Sequence, residues 1–257
     1  LIQFSNHNFY NNRLFTFPST KTNPWYGLHS VYLPNGIFKN RINSIEAEKI
    51  VDLIFDHMRN RPNESLGVVA LSKSQSDHIW ELYVQRRLNE RDIDINIEKS
   101  EKGHEPFFVK NLENVQGDER DRIIISIGYA KDENGNLRKH FAAINNLSGD
   151  RRLNVLFTRA KMRIDLVHSI QSDEIVSDRP SILTLKRYLE YVNDPKQLFR
   201  SSKQSNGINA PESSEYALEV QKALEKRGYV VSAEVPESGY WIDMAIHSSN
   251  GDGFDLG

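Results

Sequence analysis

Residues 66–71 read Leu-Gly-Val-Val-Ala-Leu, a short apolar run with no polar interruption. A run of this kind is typical of a strand that is buried on both faces of a parallel sheet. Largely apolar stretches at residues 107–109, 123–127 and 164–168 predict three more strands, and a further strand is expected near residues 31–33. These strands predict the central sheet of an α/β domain.

Helical patterns alternate with these strands along the chain. Asn-x-x-Glu at residues 43–46 and Ser-x-x-Asp at residues 74–77 have the form of capping boxes, and apolar residues at helical spacing follow each of them. Residues 151–162 and 181–193 show the same spacing and predict two more helices, whereas residues 1–41 are predicted to be mostly irregular. The alternation predicts a mostly parallel sheet that helices cover on both faces.

The overall composition limits the function. The 257 residues include 33 Lys and Arg against 35 Asp and Glu, a formal net charge of -2, so any nucleic-acid site is expected to be a local patch. The absence of Cys excludes disulfides, thiolate nucleophiles and zinc sites built on Cys. No apolar run approaches the ~18 residues of a membrane span. Leu1 is not Met, and no basic region precedes an apolar stretch, so we expect no signal peptide. We therefore expect a cytoplasmic protein without a membrane contact, and a fragment of a longer chain.

A polar stretch divides the chain. Residues 200–210 contain Ile208 as their one apolar residue larger than Ala, and they are the best linker candidate in the sequence. This predicts one domain over residues 1–195, a linker over residues 196–211 and a second region over residues 212–257. The second region shows one helix and two strands, so we expect an incomplete second α/β domain.

Two segments carry the candidate chemistry. Residues 115–121, Val-Gln-Gly-Asp-Glu-Arg-Asp, form a turn between two apolar strands, and Gly117 allows the backbone to approach a ligand. Residues 150–163 carry five basic side chains and one acidic one, a net charge of +4, which makes them a candidate anion site. Taken singly, a basic amphipathic helix is usually a solvated face, and a Gln-Gly loop is usually a plain turn.

Together and in this order, the two segments resemble motifs V and VI of superfamily 1 helicases. The resemblance is to the group that includes the nonsense-mediated-decay and Okazaki-fragment-processing helicases, and it extends over about residues 1–170. It implies the second RecA-like domain of an ATP-dependent motor that acts on a DNA or RNA single strand. It also implies that the first RecA-like domain of the same parent chain is the partner, with ATP as the cofactor.

The resemblance assigns roles to residues by position. Arg159 is similar to the arginine finger of motif VI, which reaches the γ-phosphate bound by the first domain. A guanidinium suits this role because it is permanently charged and planar. Gly117 and Glu119 are similar to the motif V residues that lie beside the nucleotide. Contacts with the nucleic-acid strand are implied for three further residues, namely Gln116, Arg152 and Lys161.

Parts of an ATPase are missing from the sequence. It contains no Gly-x-x-x-x-Gly-Lys-[Ser/Thr] P-loop, and no Asp-Glu pair follows an apolar strand as in a Walker B motif. We therefore expect half of an ATPase site and no ATP hydrolysis by this chain alone. The alternative is a catalytically inactive, helicase-derived module that binds nucleic acid or a protein.

The tail resembles the start of an endonuclease domain related to the very-short-patch-repair nucleases, of the PD-(D/E)XK class. The likeness rests on Gly-Tyr-Trp-Ile-Asp at residues 239–243 and on the preceding helix with Glu215. It implies that Asp243 binds Mg²⁺ for the cleavage of DNA and that Glu215 lies near the same site. Asp252 and Asp255 are expected in a Gly-rich loop, which would leave the metal site incomplete. Without the resemblance, Asp243 would be an ordinary carboxylate at the edge of a strand.

Overall fold

The computed structural model describes residues 1–14, 23–115, 117–137, 141, 144–145, 148–194, 215–237, 240–247 and 254–256. The chain divides into two compact units. The larger comprises Leu1 and Pro24–Gln197, and the smaller comprises Ile2–Asn23 and Leu198–Gly257. Residues 2–23, which the sequence analysis places in the first domain, thus belong to the same unit as the tail. The linker predicted over residues 196–211 lies outside the described residues.

A five-stranded sheet forms the centre of the larger unit. Its strands, in spatial order, are β1 (Gly27–Tyr32), β5 (Ala160–His168), β4 (Arg120–Ser126), β2 (Leu66–Ala70) and β3 (Phe108–Asn111). Every neighbouring pair is parallel, which confirms the predicted sheet. We call the side where the strands begin the amino edge and the side where they end the carboxyl edge.

Helices cover both faces of this sheet, as the alternating pattern predicts. They are α2 (Ser44–Asn60), α3 (Lys73–Arg87), α4 (Asp94–Lys102), α5 (Gly149–Phe157) and α6 (Pro180–Asn193), with a 3-10 turn at Arg91–Ile93. On one face, apolar residues of α2, α3 and α4 pack against Val68 and Ile124. Ile123 and Ile125, which point to the other face, are equally buried, and on the remaining side of the unit α6 packs against α5 and β1. Among the described helices, none has the length and apolar character that crossing a membrane requires.

The helix predicted over residues 151–162 is wrong at its carboxyl end. It ends earlier, and two residues, Thr158 and Arg159, connect α5 to β5. The Thr158 hydroxyl bonds back to carbonyl groups of the last helical turn. The Arg159 carbonyl already accepts the N–H of Arg120 on β4 at 3.1 Å. Pairing with β4 therefore ends the helix before its apolar spacing does.

Two smaller differences concern α3 and α4. Ser72, and not Ser74, caps α3, because its side chain accepts the Gln75 N–H at 3.3 Å while its own backbone is extended. α4 and the 3-10 turn before it are not predicted from the sequence. Ile97 is the one buried residue of α4, so the helix has no apolar periodicity to reveal it.

The smaller unit contains α1 (Gln3–Phe9), α7 (Glu215–Glu225) and a three-stranded antiparallel sheet of β6 (Val231–Glu237), β7 (Tyr240–His247) and β8 (Phe254–Leu256). Two predictions are wrong here. α1 falls in a stretch predicted to be irregular, and it lacks the side-chain cap that locates α2. Asp255 lies on β8 and not in a loop, because β8 pairs with the end of β7. Asp252 lies outside the described residues.

Candidate functional site

The two segments with candidate chemistry meet at the amino edge of the sheet. Residues 112–119 lead from the end of β3 to the start of β4, and Arg159 lies just before β5, the neighbour of β4. α5 runs beside the first segment. Arg152, near the start of α5, pairs with Glu113 at 3.2 Å, and Arg159, just beyond its end, pairs with Glu119 at 3.9 Å. An ion pair at each end of α5 therefore joins this helix to the chain between β3 and β4.

Arg159 is held by its own helix and by the neighbouring segment. Its Nε donates to the Val155 carbonyl at 2.9 Å, and its Nη1 lies 3.9 Å from Glu119 Oε1. The Arg159 side chain is 18% exposed, and that of Glu119 is 54% exposed. One contact of this length to an exposed carboxylate is weak. The guanidinium thus faces the predicted motif V segment and can exchange Glu119 for a stronger anion.

Gly117 forms a turn with a φ of 90°. Residues with a side chain rarely adopt this conformation, which favours glycine here. An ideal Cβ at Gly117 would meet no atom within 4 Å, so the turn borders open space. The next residue anchors it, because Asp118 accepts a hydrogen bond of 2.7 Å from Lys110 Nζ. Gln116, for which the resemblance implies a strand contact, lies outside the described residues.

The other two residues for which a strand contact is implied each pair with an acidic residue. Arg152 Nη1 donates to Glu113 Oε1 at 3.2 Å. Lys161 Nζ donates to Glu105, and this hydrogen bond raises the pKa of Lys161. Glu105 also accepts the Ser65 hydroxyl at 2.7 Å. A phosphate that binds to Arg152 or Lys161 would therefore compete with an existing ion pair.

A buried ion cluster, which was not predicted from the sequence, lies next to this site. Asp165 on β5 accepts Arg122 Nε of β4 at 2.7 Å, and it accepts Arg163 Nε and Nη2 at 2.8 and 2.6 Å. The guanidinium carbon of Arg163 lies 3.9 Å from the ring centroid of Trp25, and that of Arg122 lies 5.0 Å from it. Burial raises the pKa of Asp165, but hydrogen bonds and charge from both arginines outweigh it, so the pKa is lowered. A signal exists in the sequence at Asp165, which interrupts the apolar residues 164–167, whereas Arg122 ends the charged run of residues 118–122.

A second buried carboxylate lies at the carboxyl edge. Glu46, in the first turn of α2, accepts Asn43 Nδ2 at 3.0 Å, Ser126 Oγ at 3.0 Å and the Gly128 N–H at 2.7 Å. These donors are neutral, and burial raises the pKa of Glu46 to about 7. The network ties the start of α2 to the end of β4. It lies at the opposite edge from the candidate site.

The predicted metal ligands of the tail are placed by their backbone alone. Asp243 lies in β7, and Glu215 is the first residue of α7. Their side chains lie outside the described residues, so the Mg²⁺ site stays a prediction. Within the described part of the chain, no group of three or more His, Cys, Asp or Glu side chains is arranged to hold a metal ion.

A comparison with family models finds a match in the larger unit. The AAA_12 model, described as an AAA domain, matches residues 29–170. The matched range contains both segments of the candidate site and all of the five-stranded sheet except the first two residues of β1.

Comparisons with curated proteins and solved structures find helicases. Two relatives are described as an uncharacterized ATP-dependent helicase of Mycoplasma genitalium, 35% identical over 195 residues, and its Mycoplasma pneumoniae homologue, 34% identical over 197 residues. Each alignment covers 75% of this chain, which spans 17% of the length of either relative. The C-terminal domain of a possible DNA helicase from Lactobacillus plantarum WCFS1 is similar in structure, at 15% identity and a TM-score of 0.35. This similarity covers 63% of the chain and 82% of that domain.

Proposed function

The chain belongs to the AAA_12 family of AAA domains, and from this premise we propose that it forms one lobe of an ATP-dependent helicase motor. In this proposal it is the second RecA-like domain, and a first domain of the same parent protein binds ATP through a P-loop. The two relatives described as ATP-dependent helicases support the proposal, since each aligns with 75% of the chain. The substrate is a single strand of DNA or RNA.

The observation that carries the proposal is the position of Arg159. Its guanidinium lies 3.9 Å from Glu119 and faces the segment in which Gly117 borders open space. A guanidinium keeps its charge at every working pH and offers a planar fork of donors, so it suits a phosphoryl group in transfer. ATP supplies that phosphoryl group. Arg159 acts by leaving Glu119 for the γ-phosphate, and Glu119 then becomes free to accept the ribose hydroxyls.

Movement along nucleic acid follows from closure of the two lobes around ATP. Gln116 links the nucleotide to the strand in this proposal. Arg152 and Lys161 bind phosphate groups of the strand by exchanging their acidic partners, Glu113 and Glu105, for phosphate oxygens. Affinity for the strand is therefore expected to fall as the salt concentration rises.

For the tail we propose a Mg²⁺-dependent endonuclease activity. It is centred on Asp243 of β7, with Glu215 of α7 near the same metal ion. Carboxylates are the ligands that Mg²⁺ prefers. In the parent protein, Asp243→Asn should abolish DNA cutting and leave unwinding unchanged. Cutting that persists in this variant would rule out Asp243 as a metal ligand.

ATP turnover tests the role of Arg159. In the parent protein, Arg159→Ala should lower kcat by about 10³-fold or more and change the KM for ATP much less, because the finger acts in the transition state. Arg187→Ala is the matched control, since Arg187 is an exposed arginine of α6. An unchanged kcat in Arg159→Ala would overturn the proposal. A parent protein that binds single strands without any ATP turnover would instead favour the inactive binding module.

A further inference from the structure

The pairing of β4 with β5 contains a step beside Arg159. Arg120 of β4 pairs with Ala160, but Arg122 pairs with Arg163, so two residues of β4 span three residues of β5. Beyond this bulge the register is regular, as in the pair Ile124 and Asp165. A bulge redirects the chain on one side of it. The direction of the chain from Arg159 into β5 therefore depends on where the bulge lies.

Apolar residues alone do not fix this register. Ile123, Ile124 and Ile125 are all fully buried, and so are Ile164 and Leu166 of β5. When both faces of a strand are buried, a shift by one residue replaces one apolar side chain by another. The apolar pattern of these two strands is thus compatible with more than one pairing.

The buried charges distinguish the pairings. Asp165 accepts hydrogen bonds from Arg122 and Arg163, and the side chains of Arg122 and Asp165 are each 1% exposed. A shift of β5 by one residue would turn Asp165 to the opposite face, away from Arg122. That would leave two buried charges without each other, which is far more costly than any change of apolar contact.

The cluster is not arranged for maximal stability. Arg122 Nη1 is buried and has no hydrogen-bond partner among the described residues. A buried polar group without a partner is unfavourable, and a buried ion pair is often no more stable than two apolar side chains of the same volume. The use best attested for such pairs is to select one arrangement of the chain over others.

We propose that Asp165, with Arg122 and Arg163, is a positioning element for Arg159. The cluster locks the bulged register of β4 and β5, and the register sets the place of Arg159, because the Arg159 carbonyl accepts the Arg120 N–H at 3.1 Å. The catalytic consequence rests on the proposed function of Arg159. The register itself can be tested without ATP.

The test replaces the charges by apolar side chains in this chain, as Arg122→Met with Asp165→Leu. We expect a lower melting temperature than that of the unmodified chain, because Arg163 keeps its charge and loses both hydrogen bonds to Asp165. We also expect amide hydrogen exchange at Arg120 to be about tenfold faster or more, with altered interstrand contacts by NMR between Arg120 and Ala160. Arg86→Met with Asp52→Leu is the control, because it removes an exposed pair between α2 and α3.

An unchanged exchange rate and unchanged contacts between Arg120 and Ala160 in the folded double variant would overturn the proposal. If that variant does not fold, the same two measurements on Asp165→Asn decide the question, because asparagine keeps the shape of the side chain and removes its charge. In the parent protein, a shifted register should lower kcat by about 10²-fold and spare the KM for ATP, as a misplaced catalytic group does. A shifted register with unchanged turnover would refute the role of Arg159 in the proposed function and leave the register role intact.

Discussion

Two carboxylates are buried among the described residues of the larger unit, and their surroundings differ. Asp165 lies within β5 and contacts two guanidinium groups, those of Arg122 and Arg163. Glu46 lies at the carboxyl edge and accepts hydrogen bonds from neutral donors, among them Ser126 and Gly128. Both side chains are fully removed from solvent. The comparison therefore separates the effect of burial from the effect of the partners.

The partners decide the sign of the pKa shift. Burial raises the pKa of both groups, but the arginines reverse this at Asp165, whose pKa is lowered, while the pKa of Glu46 rises to about 7. Two opposite dependences of stability on pH follow. The contribution of Asp165 is present above its ordinary pKa of 3.8 and is lost as the pH falls through the lowered value. Below pH 4.5, Glu46 is neutral, and its burial does not cost stability through a buried charge. As the pH rises from 4.5 to 7, ionisation becomes favourable in the unfolded chain before it does in the folded chain, so the fold is increasingly destabilised.

The largest expected effect is the loss of Asp165. Asp165→Ala leaves Arg122 and Arg163 buried near Trp25 without their carboxylate. Breaking a buried ion pair by removing one partner typically costs about 3–5 kcal/mol of unfolding free energy. Urea unfolding at pH 7 measures this loss of unfolding free energy. Asp52→Ala is the control, because its pair with Arg86 is exposed and should be worth less than about 1 kcal/mol. Equal losses in the two variants would remove the contrast between the buried and the exposed pair.

The next effect concerns the pH dependence of Glu46. Its pKa rises from 4.5 to about 7 on folding, a difference worth about 3 kcal/mol between pH 4.5 and pH 7. Glu46→Gln cannot ionise, so its stability relative to the unmodified chain should improve by about that amount as the pH rises through this range. Unfolding at several pH values measures it. Glu48→Gln, an exposed neighbour on α2, should change the pH profile little, and a flat difference for Glu46→Gln would contradict the contrast with Asp165.

The central sheet could be predicted because its strands are apolar on both faces. The apolar composition of residues 66–71 and 123–127 is enough to predict strands, without knowledge of the strands that they pair with. Features that depend on distant partners could not be predicted. α5 ends before Arg159 because the Arg159 carbonyl pairs with Arg120 on β4, and no local pattern contains that information. α4 escapes prediction because Ile97 alone is buried.

The sequence indicates the candidate site residues one by one, but not the contacts between them. The order of motifs indicates Gly117, Glu119 and Arg159, and the structure brings the last two within 3.9 Å. Their location could not be predicted, because α/β sheets usually bind ligands at the carboxyl edge and these residues lie at the amino edge. Asp165 is visible as a charge between apolar residues, and Arg122 as the last of the charged residues 118–122, but their contact depends on β4 lying beside β5. Strand order is not encoded in any one stretch of sequence.

The smallest expected change in unfolding free energy is at Gly117 of the amino edge, and it is compared with the change at Gly36 of the carboxyl edge. Gly117 borders open space, so the methyl group of Gly117→Ala should meet no other atom. The variant should still lose about 1 kcal/mol of unfolding free energy, because alanine rarely adopts a φ of 90°. An ideal Cβ at Gly36, near the Glu46 network, would lie 2.0 Å from Ser169 Oγ and 2.7 Å from Asn43 Nδ2, which bond to each other. Gly36→Ala should therefore cost more than Gly117→Ala in urea unfolding. A larger loss at Gly117 would mean that its turn is packed, and that the space proposed for the nucleotide is closed.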